Sequence, residues 1–185
     1  MKSKSYDISV EYPQFLIAKE ELCRKVNDTL KTIALSIYEN FVESINEFST
    51  LEMPQPFLNM KYTIEYFSGE IISLLFTFYE YTGGAHPNTY HSIFNLWLTD
   101  DEIRLLDLGD LFLQNTDYLK ILFDICIVYL RNQNASFVID GMVNNVSDML
   151  DVFTLTPARL CFTFAPYSVD PMRKESIESK YPTSS

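Results

Sequence analysis

The densest group of chemically useful side chains lies between Tyr79 and Asn88, where the sequence reads YEYTGGAHPN. It combines phenol rings, a hydroxyl, an imidazole and an amide, which supply stacking faces and hydrogen-bonding groups. Gly83 and Gly84 are adjacent and permit a positive φ or the close approach of another backbone. Loops at strand ends often carry binding groups, so the segment is a candidate binding loop. The residues fit a structural turn equally well, with Thr82 and Asn88 satisfying nearby backbone groups.

The two histidines, His86 and His91, flank the end of this loop. With carboxylates nearby they could hold a metal, but five positions apart on an extended segment they would point to opposite faces. The sequence contains no P-loop, GxGxxG, GxSxG or HExxH motif. Carboxylates such as Asp107 and Asp110 are typical of turns and helix caps. We therefore expect no metal, no cofactor and no catalytic residue.

The charge balance bounds the class of partner. The 185 residues are 47% apolar, enough for one compact domain or two small packed ones without disulfides or a structural metal. Against 14 basic residues there are 25 acidic ones, a net charge of −11, and between residues 6 and 170 the balance is 9 against 23, or −14. Such a surface excludes nucleic acid and attracts cationic partners. Plain solubility explains the same charge equally well.

The cysteines and termini bear on the compartment. Cys23, Cys126 and Cys161 lie in apolar surroundings without a CxxC, which favours buried thiols over a disulfide framework, although one pair stays open. No run reaches the roughly 18 apolar residues of a membrane span. The N-terminus, MKSKSYDISVEYP, has no apolar core of a signal peptide. Either the protein is cytoplasmic, or a leader or anchor is missing from this chain.

A long amphipathic helix is the clearest periodic signal. After a short strand over residues 6–12, apolar residues recur at spacings of three and four: Leu22, Val26, Leu30, Ile33, Ile37, Phe41, Ile45 and Phe48. Glu21 and Lys25 form an i,i+4 pair in the favourable order. Another face carries Glu39, Glu43 and Glu47, an acidic row that is either solvated or used for interaction.

The period then changes from 3.6 to 2, which predicts strands. Met60, Tyr62, Ile64 and Tyr66 would share the buried face of a half-buried strand. Further strands are predicted over 71–81, 89–98, 152–155 and 160–164, and a buried helix over 117–131. The chain after Pro171 is expected to be frayed.

This order of elements predicts an α+β fold. A largely antiparallel sheet would be packed by the long N-terminal helix and by the second, buried helix. We expect an N-terminal strand-plus-helix segment over 1–56, a second domain over 57–171 and a tail over 172–185, with the first two forming one compact unit.

Several motifs resemble those of one domain family, in the right order over most of residues 6–171. They are Tyr81 with Gly83-Gly84-Ala85-His86, then Phe94-Asn95, the Leu105–Phe112 segment, Phe153–Thr156, and the Phe-x-Phe-x-Pro-Tyr run that ends at Tyr167. The N-terminal Val10–Pro13 and Val26-Asn27 resemble a companion segment of the same family. The chain is thus similar to the RsiV/PdaC-like extracytoplasmic domains, which occur in a lysozyme-sensing anti-sigma factor and beside the catalytic domain of a peptidoglycan deacetylase. It differs in having Pro87 where the family usually has glycine.

The resemblance implies an α+β module in the periplasm or cell envelope, commonly tethered as a lipoprotein, that binds and does not catalyse. The implied partner is a cationic protein such as lysozyme, or a cell-wall glycan. The expected binding residues are Tyr81, Thr82, Gly83, Gly84, His86, Asn88 and Tyr167. The alternative is a peptidoglycan hydrolase or deacetylase-associated domain that uses His86 with an acidic partner.

Overall fold

The computed structural model describes residues 5–48, 54–99, 102–139, 149–164 and 177–182. Its named α-helices are α1 (Glu20–Phe48), α2 (Tyr118–Asn132) and the short α3 (Ser136–Ile139). A 3-10 turn spans Leu108–Leu111. The strands are β1 (Asp7–Val10), β2 (Phe57–Phe67), β3 (Ile71–Tyr81), β4 (Asn88–Leu98), β5 (Ile103–Leu105), β6 (Phe153–Thr156), β7 (Arg159–Phe164) and β8 (Ile177–Pro182).

The strands form two sheets. One has the order β1-β2-β3-β4-β5 and the other β6-β7-β8. The first sheet is mixed because β1 runs parallel to β2, with Asp7 opposite Phe57 and Ser9 opposite Asn59. Pairing in the second sheet is antiparallel. The predicted α+β class is confirmed.

Two compact units divide the chain. The first comprises Met1–Thr63, Phe76–Tyr90 and Leu98–Ile103, and the second Ile64–Leu75, His91–Trp97 and Arg104–Ser185. The long strands β2, β3 and β4 each contribute residues to both units. The domain boundary that we place at residue 56 stays a prediction.

In the first unit, α1 buries the apolar stripe that its spacing predicts. Leu22, Val26, Leu30, Phe41 and Ile45 are all buried. The expected Glu21–Lys25 ion pair has an N–O distance of 3.1 Å. Of the predicted acidic row, Glu39 and Glu43 are exposed, and the side chain of Glu47 lies outside the described part.

Asn27 fastens the segment before α1 to the helix. Its side-chain oxygen accepts the Phe15 N–H at 2.8 Å, and its side-chain nitrogen donates to the Phe15 carbonyl at 3.0 Å. Cys23 adds a thiol bond to the same carbonyl at 3.2 Å. Since Phe15 is 3% exposed, these bonds satisfy polar backbone groups beside an anchored aromatic ring.

The burial of side chains on β2 and β3 only partly matches the prediction. Leu58 and Met60 on β2 are buried, as are Phe76 and Phe78 on β3. The expectation that Tyr62 and Ile64 continue the buried face of β2 is wrong, because they are 36% and 45% exposed. Alternation fixes which side chains share a face, but burial also needs a packing partner on that face.

In the second unit, the helix predicted over 117–131 is α2, and one side of it is buried. Leu122, Cys126 and Leu130 are buried, whereas Ile121 and Val128 are 52% and 58% exposed. The buried residues Leu122, Cys126 and Leu130 pack in one cluster with apolar residues of β6 and β7. These include Phe153, Leu155, Leu160, Phe162 and Phe164. The sequence did not show which side of α2 is buried, because a continuous apolar run has no visible periodicity.

The Asp107–Asp110 pair has the cap role that we expected. Asp110 accepts the Asp107 backbone N–H at 2.9 Å, and Arg104 donates to the same carboxylate at 3.0 Å. These contacts hold the pKa of Asp110 below its usual range, and the backbone hydrogen bond has the largest effect. The Arg104 guanidinium also lies 4.6 Å from the Trp97 ring centre, so it links β4, β5 and the 3-10 turn.

The frayed tail that we expected after Pro171 is corrected for residues 177–182. These residues form β8, which pairs with the whole length of β7 from Arg159 opposite Pro182 to Phe164 opposite Ile177. A polar sequence can form an outer strand because the ladder bonds come from the backbone.

Two further expectations concern the cysteines and the membrane. All three cysteines lie in described ranges without a disulfide; Cys126 and Cys161 are buried and Cys23 is half-buried. Among the helices of the described ranges, none is both long and apolar enough to span a bilayer.

Candidate functional site

The glycine pair closes the β3–β4 connection in the first unit. Gly83 and Gly84 have φ values of 135° and 103°, where a side chain would strain the backbone. The Tyr81 hydroxyl donates to the Gly84 carbonyl at 2.9 Å, while the Tyr81 ring is only 7% exposed. A buried tyrosine therefore fixes the position of the glycine loop through this hydrogen bond.

The remaining predicted site residues follow on this loop. His86 is exposed, and its Nδ1 lies 2.9 Å from the Pro87 carbonyl. Thr82 is half-buried, and Asn88 is exposed at the first position of β4. The structure thus brings six of the seven predicted residues into one loop, whereas Tyr167 lies outside the described residues. Their role in binding stays a prediction.

Two titratable residues of β4 follow the loop. Tyr90 stacks on Phe78 with ring centres 4.5 Å apart, and its hydroxyl donates to Glu80 at 3.2 Å. Burial, together with the charge of Glu80, raises the pKa of Tyr90 above its usual range. In the second unit, burial lowers the pKa of His91. Within the described ranges, no group of three or more His, Cys, Asp or Glu residues is arranged to hold a metal.

An aromatic contact joins the loop to the neighbouring strands. Phe57 of β2 lies 5.1 Å from the Tyr79 ring and 6.2 Å from the Tyr81 ring, centre to centre. Tyr81 is buried and Tyr79 is 48% exposed. Phe57 therefore connects the tyrosine that supports the glycine loop to one that faces solvent.

Tyr79 lies in a groove of about 720 Å³ that the sequence reasoning missed. The lining residues come from β1, β2 and β3: Asp7, Ser9, Phe57, Leu58, Asn59, Lys61, Tyr62, Thr63, Thr77 and Tyr79. Most carry hydroxyl, amide or charged groups and alternate along their strands with core residues such as Leu58, Met60 and Phe78. The alternation was visible in the sequence, but the parallel pairing of β1 with β2 was not. The groove adds Phe57, Asn59, Lys61 and Tyr79 to the candidate site.

The second unit has a smaller cavity of about 340 Å³. Apolar residues of β4, β5, α2 and β6 line it together with Asp107 and Asp151. This cavity lies at the edge of the hydrophobic core. The Asn95 side chain in its wall already forms hydrogen bonds with Ser73 and with the Phe153 carbonyl.

Comparison with known proteins supports the family assignment. Residues 1–89 match the family model described as Deacetylase PdaC. A curated relative, the peptidoglycan-N-acetylmuramic acid deacetylase PdaC of Bacillus subtilis, is 28% identical over 119 residues, which are 63% of this chain and 23% of that protein. The chain thus spans less than a quarter of the length of this relative.

Two solved structures share the fold. A DUF3298-family protein of Bacteroides fragilis matches 89% of this chain and 66% of its own length, with a TM-score of 0.55 and 19% identity. A DUF3298-family protein of Pseudomonas aeruginosa matches 70% of this chain and 59% of its own length, with a TM-score of 0.50 and 14% identity. The predicted resemblance is confirmed at this level: residues 1–89 are similar to the Deacetylase PdaC family model, and the fold is that of DUF3298-family structures.

Proposed function

We propose that this protein is a non-catalytic binding module of the cell envelope, located outside the cytoplasm. The PdaC relative is named for an enzyme of peptidoglycan, and the chain matches less than a quarter of it. A binding role for the shared segment fits that partial coverage, since more than three quarters of the relative lies outside the match.

The observation that carries this proposal is the supported glycine loop. The Tyr81–Gly84 hydrogen bond and the positive φ values give the loop a defined shape. That shape presents exposed residues, including His86 and Asn88, to solvent. A preformed surface loses little conformational entropy when it binds, which favours recognition.

Two ligand classes agree with the chemistry. A cell-wall glycan would use aromatic faces and hydrogen-bonding groups like those at the loop and at Tyr79. A cationic protein such as lysozyme would be attracted by the net charge of −11, through faster encounter.

Retention on purified peptidoglycan sacculi and on immobilised lysozyme, each at low and high salt, tests the proposal. We expect retention on at least one support, and a His86→Ala/Asn88→Ala variant that is retained at least about tenfold less while its melting temperature is unchanged. Retention on lysozyme should fall with salt because exposed charges are screened. Wild-type protein that is retained on neither support would refute the proposal.

The alternative of a hydrolase or deacetylase-associated domain using His86 needs its own measurement. Incubation with peptidoglycan fragments should release neither reducing ends nor acetate if the module only binds. Turnover by the wild type that disappears in a folded His86→Ala variant would establish catalysis instead.

A further inference from the structure

We propose that the groove over β1, β2 and β3 binds an oligosaccharide of amino sugars that carry a carboxylate. This inference rests on the proposed function and names its ligand class and position. The groove lies wholly within the first unit, and its volume of about 720 Å³ falls in the range of small-molecule sites.

The stacking surface comes from Tyr79. This ring is 48% exposed, and Phe57 supports it from one side at a centre-to-centre distance of 5.1 Å. A supported ring with few rotatable bonds offers contact area at low entropic cost. The apolar face of a pyranose ring fits such a surface, whereas the groove has too many polar groups for a purely apolar ligand.

Short polar side chains surround the ring. Ser9 and Asn59 lie opposite each other on β1 and β2, and Thr63 and Thr77 line the same groove. Hydroxyl and amide groups both donate and accept, so they match the hydroxyl and acetamido groups of amino sugars. Their fixed positions on strands favour a defined ligand orientation.

The two charged residues of the lining stand well apart along the groove. Asp7 pairs with Phe57, and Lys61 lies four residues further along β2, about 13 Å away at roughly 3.3 Å per residue. That separation suits an oligosaccharide better than one sugar. Lys61 is the basic residue of the described lining, and its exposed ammonium would pair with a sugar carboxylate.

Calorimetric titration with two probes tests the inference. One probe is the neutral tetramer of N-acetylglucosamine, and the other is the peptide-free tetrasaccharide of alternating N-acetylglucosamine and N-acetylmuramic acid. We expect the wild type to bind the carboxylated probe more tightly, by about threefold to tenfold at low salt, and to lose this preference at high salt. Lys61→Met should abolish the preference, so that the two probes bind with equal affinity.

The stacking residue has a matched control. Tyr79→Ala should lower the affinity for both probes by about tenfold or more. Leu35→Ala removes an apolar side chain of similar exposure, 51%, from α1 outside the groove lining and should bind like the wild type. Asn59→Ala leaves the Phe57–Tyr79 contact intact and should also weaken the binding of both probes. It therefore tests the groove even if the Tyr79 variant misfolds.

The outcomes separate the two proposals. If sacculi retain the wild type but Tyr79→Ala and Asn59→Ala bind both probes like the wild type, the groove assignment is wrong and the binding function stands. If neither the tetrasaccharides nor the sacculi and lysozyme supports bind the wild type, both proposals fail. A Lys61→Met variant that keeps the preference for the carboxylated probe would overturn the role of that residue.

Discussion

Ser73 of β3 donates a hydrogen bond of 2.6 Å to the side-chain oxygen of Asn95 on β4, and both side chains are buried. Asn95 in turn donates to the Phe153 carbonyl at 2.9 Å, and Ser73 accepts the Leu155 N–H at 2.9 Å. The pair therefore bonds β6 of the smaller sheet to two strands of the larger one within the second unit. Buried polar groups that satisfy one another in this way specify a unique packing arrangement.

Ser73→Ala should lower the free energy of unfolding by about 1–3 kcal/mol. It leaves the buried Leu155 N–H without its acceptor and the Asn95 oxygen without its donor. Denaturant unfolding measures the loss. Ser36→Ala is the control, since that exposed hydroxyl bonds only to the Ile33 carbonyl on α1, and a change within about 0.5 kcal/mol is expected. Equal effects of the two substitutions would contradict the role of the buried pair.

Asn27→Ala should also destabilise the protein by about 1–3 kcal/mol, because the Phe15 N–H and carbonyl both lose a partner. Asn27→Asp keeps the acceptor but puts a carboxylate oxygen where the amide nitrogen met the Phe15 carbonyl, so it should not restore the lost stability. Hydrogen exchange at the Phe15 amide reports the contact directly. Unchanged protection of that amide in Asn27→Ala would show that the side chain does not hold the segment.

Gly84→Ala should destabilise the loop by about 1–2 kcal/mol through its φ of 103°. An added Cβ would meet no atom within 4 Å, so the effect isolates the backbone conformation. Gly69→Ala is the matched control, because its surroundings are equally open and its φ is outside the left-handed region. Thermal melting of both variants tests this, and a Gly84 variant as stable as the Gly69 variant would argue against the loop conformation.

The lowered pKa of His91 predicts a pH dependence of stability. The unfolded chain binds this proton at a higher pH than the folded one. The stabilising contribution is therefore complete above about pH 6.5 and is lost as pH falls from there toward the folded pKa. The slope from one proton is at most about 1.4 kcal/mol per pH unit.

Unfolding free energies of the wild type and His91→Gln between pH 7.5 and 5 test this point. The wild type should lose more stability than the variant over this window. Parallel curves for the two proteins would show that burial does not suppress protonation at His91.

Local periodicity predicted the elements well. The spacing from Leu22 to Ile45 predicted α1, because three- and four-residue spacings place side chains on one helical face. The predicted strand over 71–81 coincides with β3. Burial was predicted less well, since Tyr62, Ile64 and Val128 are apolar residues whose exposure depends on packing from distant parts of the chain.

The candidate site divides in the same way. The glycine loop could be found because its residues are contiguous in the sequence. The groove could not, because its walls come from β1 and β2, and the Ser9–Asn59 pair joins positions 50 residues apart. The Asn95–Phe153 contact, across 58 residues, was equally hidden.

The parallel pairing of the four-residue strand β1 with β2 also covers backbone groups of β2. Asp7 and Phe57 are 50 residues apart, so their pairing must close a long loop and should form later than local contacts do. Until then, residues Phe57–Met60 of β2 form an edge with unpaired backbone groups. A chain from which β1 has detached would offer that edge to another molecule. The strand that shapes the groove is thus also a guard against aggregation.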